Sequence, residues 1–322
     1  SAIKLAPDQP QYKEYLGEYL HRMDRKDEAL EVWRSLVEGE LRNQKNLIRL
    51  AEVFHQFDRS DDALKVMAEA CEMDPTIEDR LRSSEWLRDA EQYDVALEQV
   101  SLAAKAAENF DERERIFAAE LKTYQASGKL DERIAKARED AVAAENDGDA
   151  WRRLAILNNA AGKIPEALEA IETSLDKSPN SIEALEIAAR MYEDSGRLPL
   201  AIEKRRQLAE SDSRFRNGHL QKLSSLHLRI GQTEQAVAVG KELLSASAGS
   251  IEAYRYYADL CGTIGRIDQR LDTLRRCARL NPRSNDAQQM LASQLAEDFK
   301  TDQAIELYWK MLDSASDLDG RR

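Results

Sequence analysis

Glu18 and His21 in GEYLHRM (17–23), and Glu52 and His55 in AEVFHQF (51–57), repeat one Glu-x-x-His spacing 34 residues apart. A helix places residues three apart on one face, so each segment offers a carboxylate and an imidazole side by side. Two such segments on helices supply half the ligands of a carboxylate-bridged dimetal centre. The chemistry in question is ligation of a transition metal by oxygen and nitrogen. The competing explanation is that something in the chain recurs every 34 residues.

The elements that position these side chains do recur. Ala29, Ala63, Ala96, Ala167, Ala201, Ala236 and Ala304 each sit third in a short motif: DEAL, DDAL, DVAL, PEAL, PLAI, EQAV and DQAI. Arg133 in DERI and Arg270 in DQRL fill the missing steps, and the spacings become 34, 33, 37, 34, 34, 35, 34 and 34. Five residues before the marker stand Gly128, Gly162, Gly196, Gly231 and Gly265, suited to the left-handed cap of a first helix. Twelve after it come Pro75, Pro179 and Pro282, which cannot continue a second helix. Twelve before it lie Gly17, Ala51, Ser84, Ala155, Ala189, Ser224, Ala258 and Ala292, with Leu121 the exception.

This pattern resembles the tetratricopeptide repeat, a 34-residue unit with signature W-x2-L-G-x2-Y…A-x3-F…P. The fifth copy carries it best, with Trp151, Leu154, Ala155, Gly162, Ala167, Ile171, Leu175 and Pro179. The resemblance implies an all-α fold, a right-handed α-α superhelix of helix-turn-helix units. Nine units are expected, at about 10–43, 44–76, 77–110, 114–147, 148–181, 182–215, 217–250, 251–284 and 285–318. A lead-in at 1–9 and a tail at 319–322 flank them. Apolar residues at helical spacing give each helix one buried stripe, and no unit can bury its stripe without a neighbour.

Three departures carry expectations of their own. The step of 37 adds about three residues in AAKAAENFDERERI, read as a longer second helix or a looser turn between the third and fourth units. Arg133 and Arg270 replace the small alanine, so those units are expected to pack less tightly or to send the Arg stem outward. The last unit runs into SDLDGRR without a polar capping helix, which reads as a segment of a longer protein with flanking domains. Trp309, one position off the core face of the last helix, is a candidate contact to such a continuation.

Composition narrows the function. With 47 Lys and Arg against 60 Asp and Glu, the net charge of −13 argues against a nucleic-acid partner. No run of 18 apolar residues exists to insert this segment in a membrane. The three cysteines, Cys71, Cys261 and Cys277, form no paired motif and read as core thiols, slightly favouring a reducing, cytoplasmic compartment. His227 reads as a packed or hydrogen-bonded core histidine rather than a ligand, and His219 at a helix start carries no signal. No phosphate loop, nucleophile elbow or H-E-x-x-H is present, so the chain reads as non-catalytic and without a cofactor.

What the resemblance implies instead is binding, because first helices of the family line a concave groove that holds extended peptides or partner helices. The groove positions (second, fifth, sixth, ninth, twelfth and thirteenth) carry Glu14, Glu18 and His21, then Lys45, Glu52 and His55, then Glu85 and Arg88. Further on they carry Lys122, Arg152, Arg153, Asn159, Lys222 and Arg255. Glu14 and Glu18 stand where the family's carboxylate clamp needs Lys and Asn, so a chaperone tail is disfavoured. The expected function is a scaffold binding a protein or peptide segment. The runner-up is a structural spacer or oligomerisation module of a larger enzyme or secretion assembly. The minor alternative, metal or small-molecule binding through Glu18, His21, Glu52 and His55, weakens for a metal because 34 is the repeat length and the series continues as Glu85 and Arg88, where Arg does not ligate.

Overall fold

The computed structural model describes residues 9–144 and 146–319, with side chains described as far as 312. The remainder of the expected lead-in and tail, residues 1–8 and 320–322, lies outside the described residues. Eighteen α-helices run through the described residues, and no strand occurs among them. They are α1 Pro10–Arg22, α2 Lys26–Arg34, α3 Gln44–Gln56, α4 Ser60–Cys71, α5 Ile77–Asp89 and α6 Tyr93–Ala106. Then come α7 Phe110–Ser127, α8 Leu130–Ala143, α9 Gly148–Ala160, α10 Ile164–Lys177, α11 Ile182–Asp194 and α12 Leu198–Ser211. The last are α13 Arg216–Arg229, α14 Thr233–Ala246, α15 Ile251–Thr263, α16 Ile267–Leu280, α17 Asn285–Glu297 and α18 Thr301–Asp319. Two short 3₁₀ turns, Ser35–Val37 and Gly39–Leu41, follow α2. The helices gather into two compact units, Ser1–Lys136 and Ala137–Arg322, each a stack of antiparallel pairs.

Helix ends show why the chain folds in pairs. Most first helices emerge from a loop and need a side-chain cap for their orphan N–H groups. Asn43, Thr76, Asn109, Asp147, Ser181, Ser250 and Ser284 supply it. Thr76 with Asp79, and Asn109 with Glu112, close full capping boxes. The paired second helix follows a tight turn and uses no such cap. The turn is a Schellman motif: Arg59 N–H donates to Phe54 O at 2.8 Å, and Lys163 N–H to Asn158 O at 2.9 Å.

Each turn passes through one left-handed residue. In five pairs it is the glycine read from the sequence; in the others it is Asp24, Asp58, Glu91 or Phe299, with φ of 56–59°. A residue with a Cβ is strained there by roughly 1–2 kcal/mol, and part of that is offset by glycine's greater freedom when unfolded. Phe299→Gly and Glu91→Gly are each expected to raise stability by about 0.5–1 kcal/mol. A urea midpoint that fails to rise in both variants would contradict the strain.

Close packing explains the small residues. Ala29, Ala51, Ala63, Ala155, Ala167, Ala189, Ala201, Ser224 and Ala236 are all buried where the two helices of a pair cross. At Gly17 even alanine is too large, because a Cβ would stand 2.0 Å from Trp33 Nε1. Gly240 makes room for Tyr257 in the same way, at 2.7 Å from its ring. Large and small side chains therefore compensate between facing helices.

Two expectations are corrected. The extra residues of the 37-step lengthen neither the second helix nor the turn; they give a first helix, α7, of 18 residues against 13 in α5. The stem of Arg133 does not snorkel outward. Its side chain is mostly buried, and its Nε donates to Glu120 Oε1 on the facing helix at 2.8 Å. A charged hydrogen bond across the crossing replaces the alanine contact. Arg270 is accommodated differently, by Gly262 on α15, whose missing side chain leaves Arg270 Cδ 3.2 Å from where a Cβ would be.

Candidate protein-interaction face

Along the first helices of the first unit, α1, α3, α5 and α7, the acidic residues are joined to arginines of the next first helix. Glu14 accepts from Arg49 Nη1 at 3.1 Å, Glu52 from Arg82, and Glu78 from Arg115. Shorter-range pairs hold the remaining carboxylates: Glu18 with Arg22 at 3.7 Å and Glu85 with Arg88 at 3.6 Å. The acidic column is thus a ladder of ion pairs that crosslinks successive units. Exposed pairs of this kind contribute roughly 0–1 kcal/mol each, and their charges remain available to exchange for those of a partner.

The histidines sit differently from the carboxylates. The imidazole of His21 is half-buried, 4.6 Å from the Phe57 ring centroid and 5.9 Å from that of Trp33. Trp33 and Phe57 themselves lie 4.7 Å apart, so three rings join the first two pairs. His55 stacks on Trp86 with centroids 4.4 Å apart and planes inclined 15°. Each histidine therefore rests on aromatic rings of its own or the next pair. Among the described residues no three His, Cys, Asp or Glu side chains converge as a metal site requires.

In the second unit the expected cations divide. Arg152 is buried, with Nη2 at 2.5 Å and Nε at 2.8 Å from Asp149 Oδ1. Arg153 donates from Nε to the other oxygen of Asp149 at 2.9 Å. Asn159, Lys222 and Arg255 are exposed, as are Lys45 and Lys122 in the first unit. Tyr256 ties neighbouring first helices together, its hydroxyl donating to Gln221 O at 2.8 Å.

Between α15 and α17 of the second unit the first-helix face opens into a cleft of ≈390 Å³. Arg255, Asp259, Asp286, Met290, Gln294 and Glu297 line it, with Arg270 at its floor. Arg255 Nε reaches Met290 Sδ at 3.2 Å, a weak acceptor for a guanidinium, and Arg270 Nη1 stands 3.8 Å from Glu297. The cleft offers both charge signs and an apolar wall. Of these residues the sequence placed only Arg255 on the groove, and named Arg270 only as an arginine in place of the small marker alanine.

Outside this face, His227 is hydrogen-bonded but is not a core residue, and His219, which carried no signal in the sequence, is buried. His227 is partly exposed and bonds Gln232 Oε1 through Nδ1 at 2.7 Å. His219 is the buried one, with Nε2 3.1 Å from Asp212 Oδ2. The bond from His219 and the N–H groups of Phe215 and Arg214 hold the Asp212 carboxyl below the usual carboxylate range. All three cysteines are buried and unpaired. Burial pushes each thiol above its ordinary value, which suppresses the thiolate a nucleophile needs.

Helix pairs, most helices 12–14 residues long, turned on a left-handed residue and crossed through small residues, build an all-α repeat fold of the tetratricopeptide kind. No family profile matches the chain, and no curated protein matches it in sequence. Among solved structures it is similar to YrrB, described as a TPR protein with an unusual peptide-binding site. The identity is 15%, over 56% of this chain and 93% of that one, with a TM-score of 0.37. It is similar also to two structures of MamA, each at 18% identity. One covers 53% of this chain and 92% of the other at a TM-score of 0.38; the second covers 51% and 95% at 0.35. No helix among the described residues is long and apolar enough to cross a membrane.

Proposed function

We propose that the chain is a non-catalytic scaffold that holds a protein or peptide segment against the face of its first helices. The cleft between α15 and α17 supports this most, because it combines guanidinium, carboxylate and thioether groups on the face where Lys222 also stands exposed. An extended segment with mixed charge can exchange its own groups for these, and complementary charge fixes its register and speeds its encounter. On this face His21 and His55 rest on aromatic rings, which supports binding as the chemistry on offer there.

Selection of a random peptide library against the whole chain tests the reading. Peptides so obtained are expected to lose about tenfold in affinity to Arg255→Glu, and similarly to Lys222→Glu. Arg279→Glu, on a second helix, is expected to leave affinity unchanged. Peptides whose affinity follows Arg279 and ignores Arg255 and Lys222 would place binding on another face and reject the proposal.

A further inference from the structure

The second helices α12, α14 and α16 each start three residues before their marker, Ala201, Ala236 and Arg270, so they share one register. Five residues after the marker they carry Arg206, Lys241 and Arg275; six after it they carry Gln207, Glu242 and Arg276. Between α12 and α14 these two places are joined across the pairs. Glu242 of α14 accepts from Arg206 of α12 at 2.7 Å and from Arg216, the first residue of α13, at 3.0 Å. A side-chain carboxylate therefore fits between neighbouring second helices, held there by two charge-assisted hydrogen bonds.

At the next step the same two places hold Lys241 on α14 and Arg276 on α16, cation against cation. Both are exposed, as is Arg279 one turn further along α16. Among the described residues none of the three is joined to a carboxylate, and Asp272 pairs instead with Arg275 of its own helix, at 3.7 Å. Lys241 and Arg276 line a groove of ≈860 Å³, to which α15 brings Tyr254 and Tyr257, and the flanking helices bring Leu244 and Leu280. Leu280 is 52% exposed. Arg276 also borders a second groove of ≈950 Å³ on the far side of α16, beside Arg275 and Arg279. The first groove lies between internal pairs, with α17 packed against α16 beyond it. On a chain of net charge −13 this patch is a local reversal of sign. Like charges facing one another repel, and an anion placed between them removes the repulsion.

We infer that the groove between α14 and α16 docks an acidic segment of a partner protein. An Asp or Glu side chain of that segment enters between Lys241 and Arg276 and does for Lys241 what Glu242 does for Arg206. Apolar side chains beside it cover Leu244 and Leu280. The step between α12 and α14 is the reason to choose a carboxylate over a phosphate, since a carboxylate is what neighbouring second helices already hold there. This inference is independent of the peptide reading, because it uses neither the cleft nor Arg255 and Lys222.

Fluorescence anisotropy of a labelled octaglutamate peptide, titrated with the whole chain, tests it. An oligothymidylate of the same length serves as the phosphate polyanion. Octaglutamate is expected to bind, and to bind more weakly as salt is raised. Arg276→Glu and Lys241→Glu are each expected to weaken it about tenfold, and Arg255→Glu by less than about twofold. Peptides selected for the cleft are expected to show the reverse dependence, so the two readings fail separately. Arg276→Glu sets a carboxylate where α14 carries Glu242, so its urea midpoint is expected to match or exceed that of the parent. Arg276→Gln, which removes the charge without adding one, is expected to bind with an affinity between the two. Octaglutamate that does not bind, or whose binding ignores Arg276 and Lys241, overturns the inference. So does oligothymidylate that binds more tightly through the same two residues, since the groove would then be a phosphate site.

Discussion

Trp33→Ala is expected to remove about 3–5 kcal/mol from the first two helix pairs. Trp33 is fully buried, fills the space left by Gly17, and donates from Nε1 to Glu14 O at 3.4 Å. Its ring also carries Phe57, and through it His21. Stability in a repeat stack is a sum over neighbours, so the loss stays local. Amide exchange in α1 and α2 should accelerate by two orders of magnitude or more, at roughly 1.4 kcal/mol per tenfold. Protection in α11 and α15 should hardly change. Uniform acceleration along the chain would mean that the pairs are more strongly coupled than nearest-neighbour packing allows. Loss of protection confined to α1–α4 would also loosen Glu14, Glu18 and His21, which ride on this core.

Removing the Asp212 side chain is the second large effect expected. Its Oδ1 accepts from the N–H groups of Arg214 and Phe215 at 3.1 and 3.2 Å, while Oδ2 meets His219. The two buried side chains hold together the loop between α12 and α13. Asp212→Ala leaves the imidazole without its partner and two backbone donors uncapped, a cost of about 3 kcal/mol. The carboxylate also carries a pH signature. Its folded value lies below the unfolded one of roughly 4, so the unfolded chain takes up the proton first as pH falls. The contribution is complete above about pH 5 and disappears as pH drops through the folded value. Asp212→Asn is expected to flatten the fall of the urea midpoint as pH drops below about 5. Parent and variant midpoints that fall in parallel would assign the acid sensitivity to other carboxylates.

The fate of particular residues shows how far the sequence could be read. The marker alanines announced the helix crossings because only a small side chain lets two backbones approach, a local demand repeated often enough to see. Gly17 was visible as one of that series. That it must be glycine was not, since the reason is Trp33, which reaches it only after the pair closes. His219 looked inert because Asp212, seven residues earlier, meets it only once the loop has folded back. The lengthening of α7 was misplaced for a related reason: capping by Asn109 and Glu112 moves the helix start upstream, and a count of inserted residues contains no cap.

The interaction face divides along the same line. Periodicity alone put Glu14, Glu18, His21, Lys45, Glu52, His55, Glu85 and Arg88 on equivalent positions of first helices, and it made the metal reading of Glu-x-x-His unnecessary. It could not show that Arg49, Arg82 and Arg115 lie across from those carboxylates. Those contacts join residues 30–37 apart in the chain.

What the sequence by itself determined is whatever one repeat decides internally: helix pairing, the left-handed turn where a glycine makes it, and the small residue at the crossing. These are short-range demands of backbone geometry, and repetition writes them plainly. Only the tertiary structure decided which charges are joined, which are left facing a like charge, which histidine is buried and where the face opens into a cleft. Each of those depends on the side chain that a neighbouring helix brings opposite, and a period fixes positions without fixing what faces them.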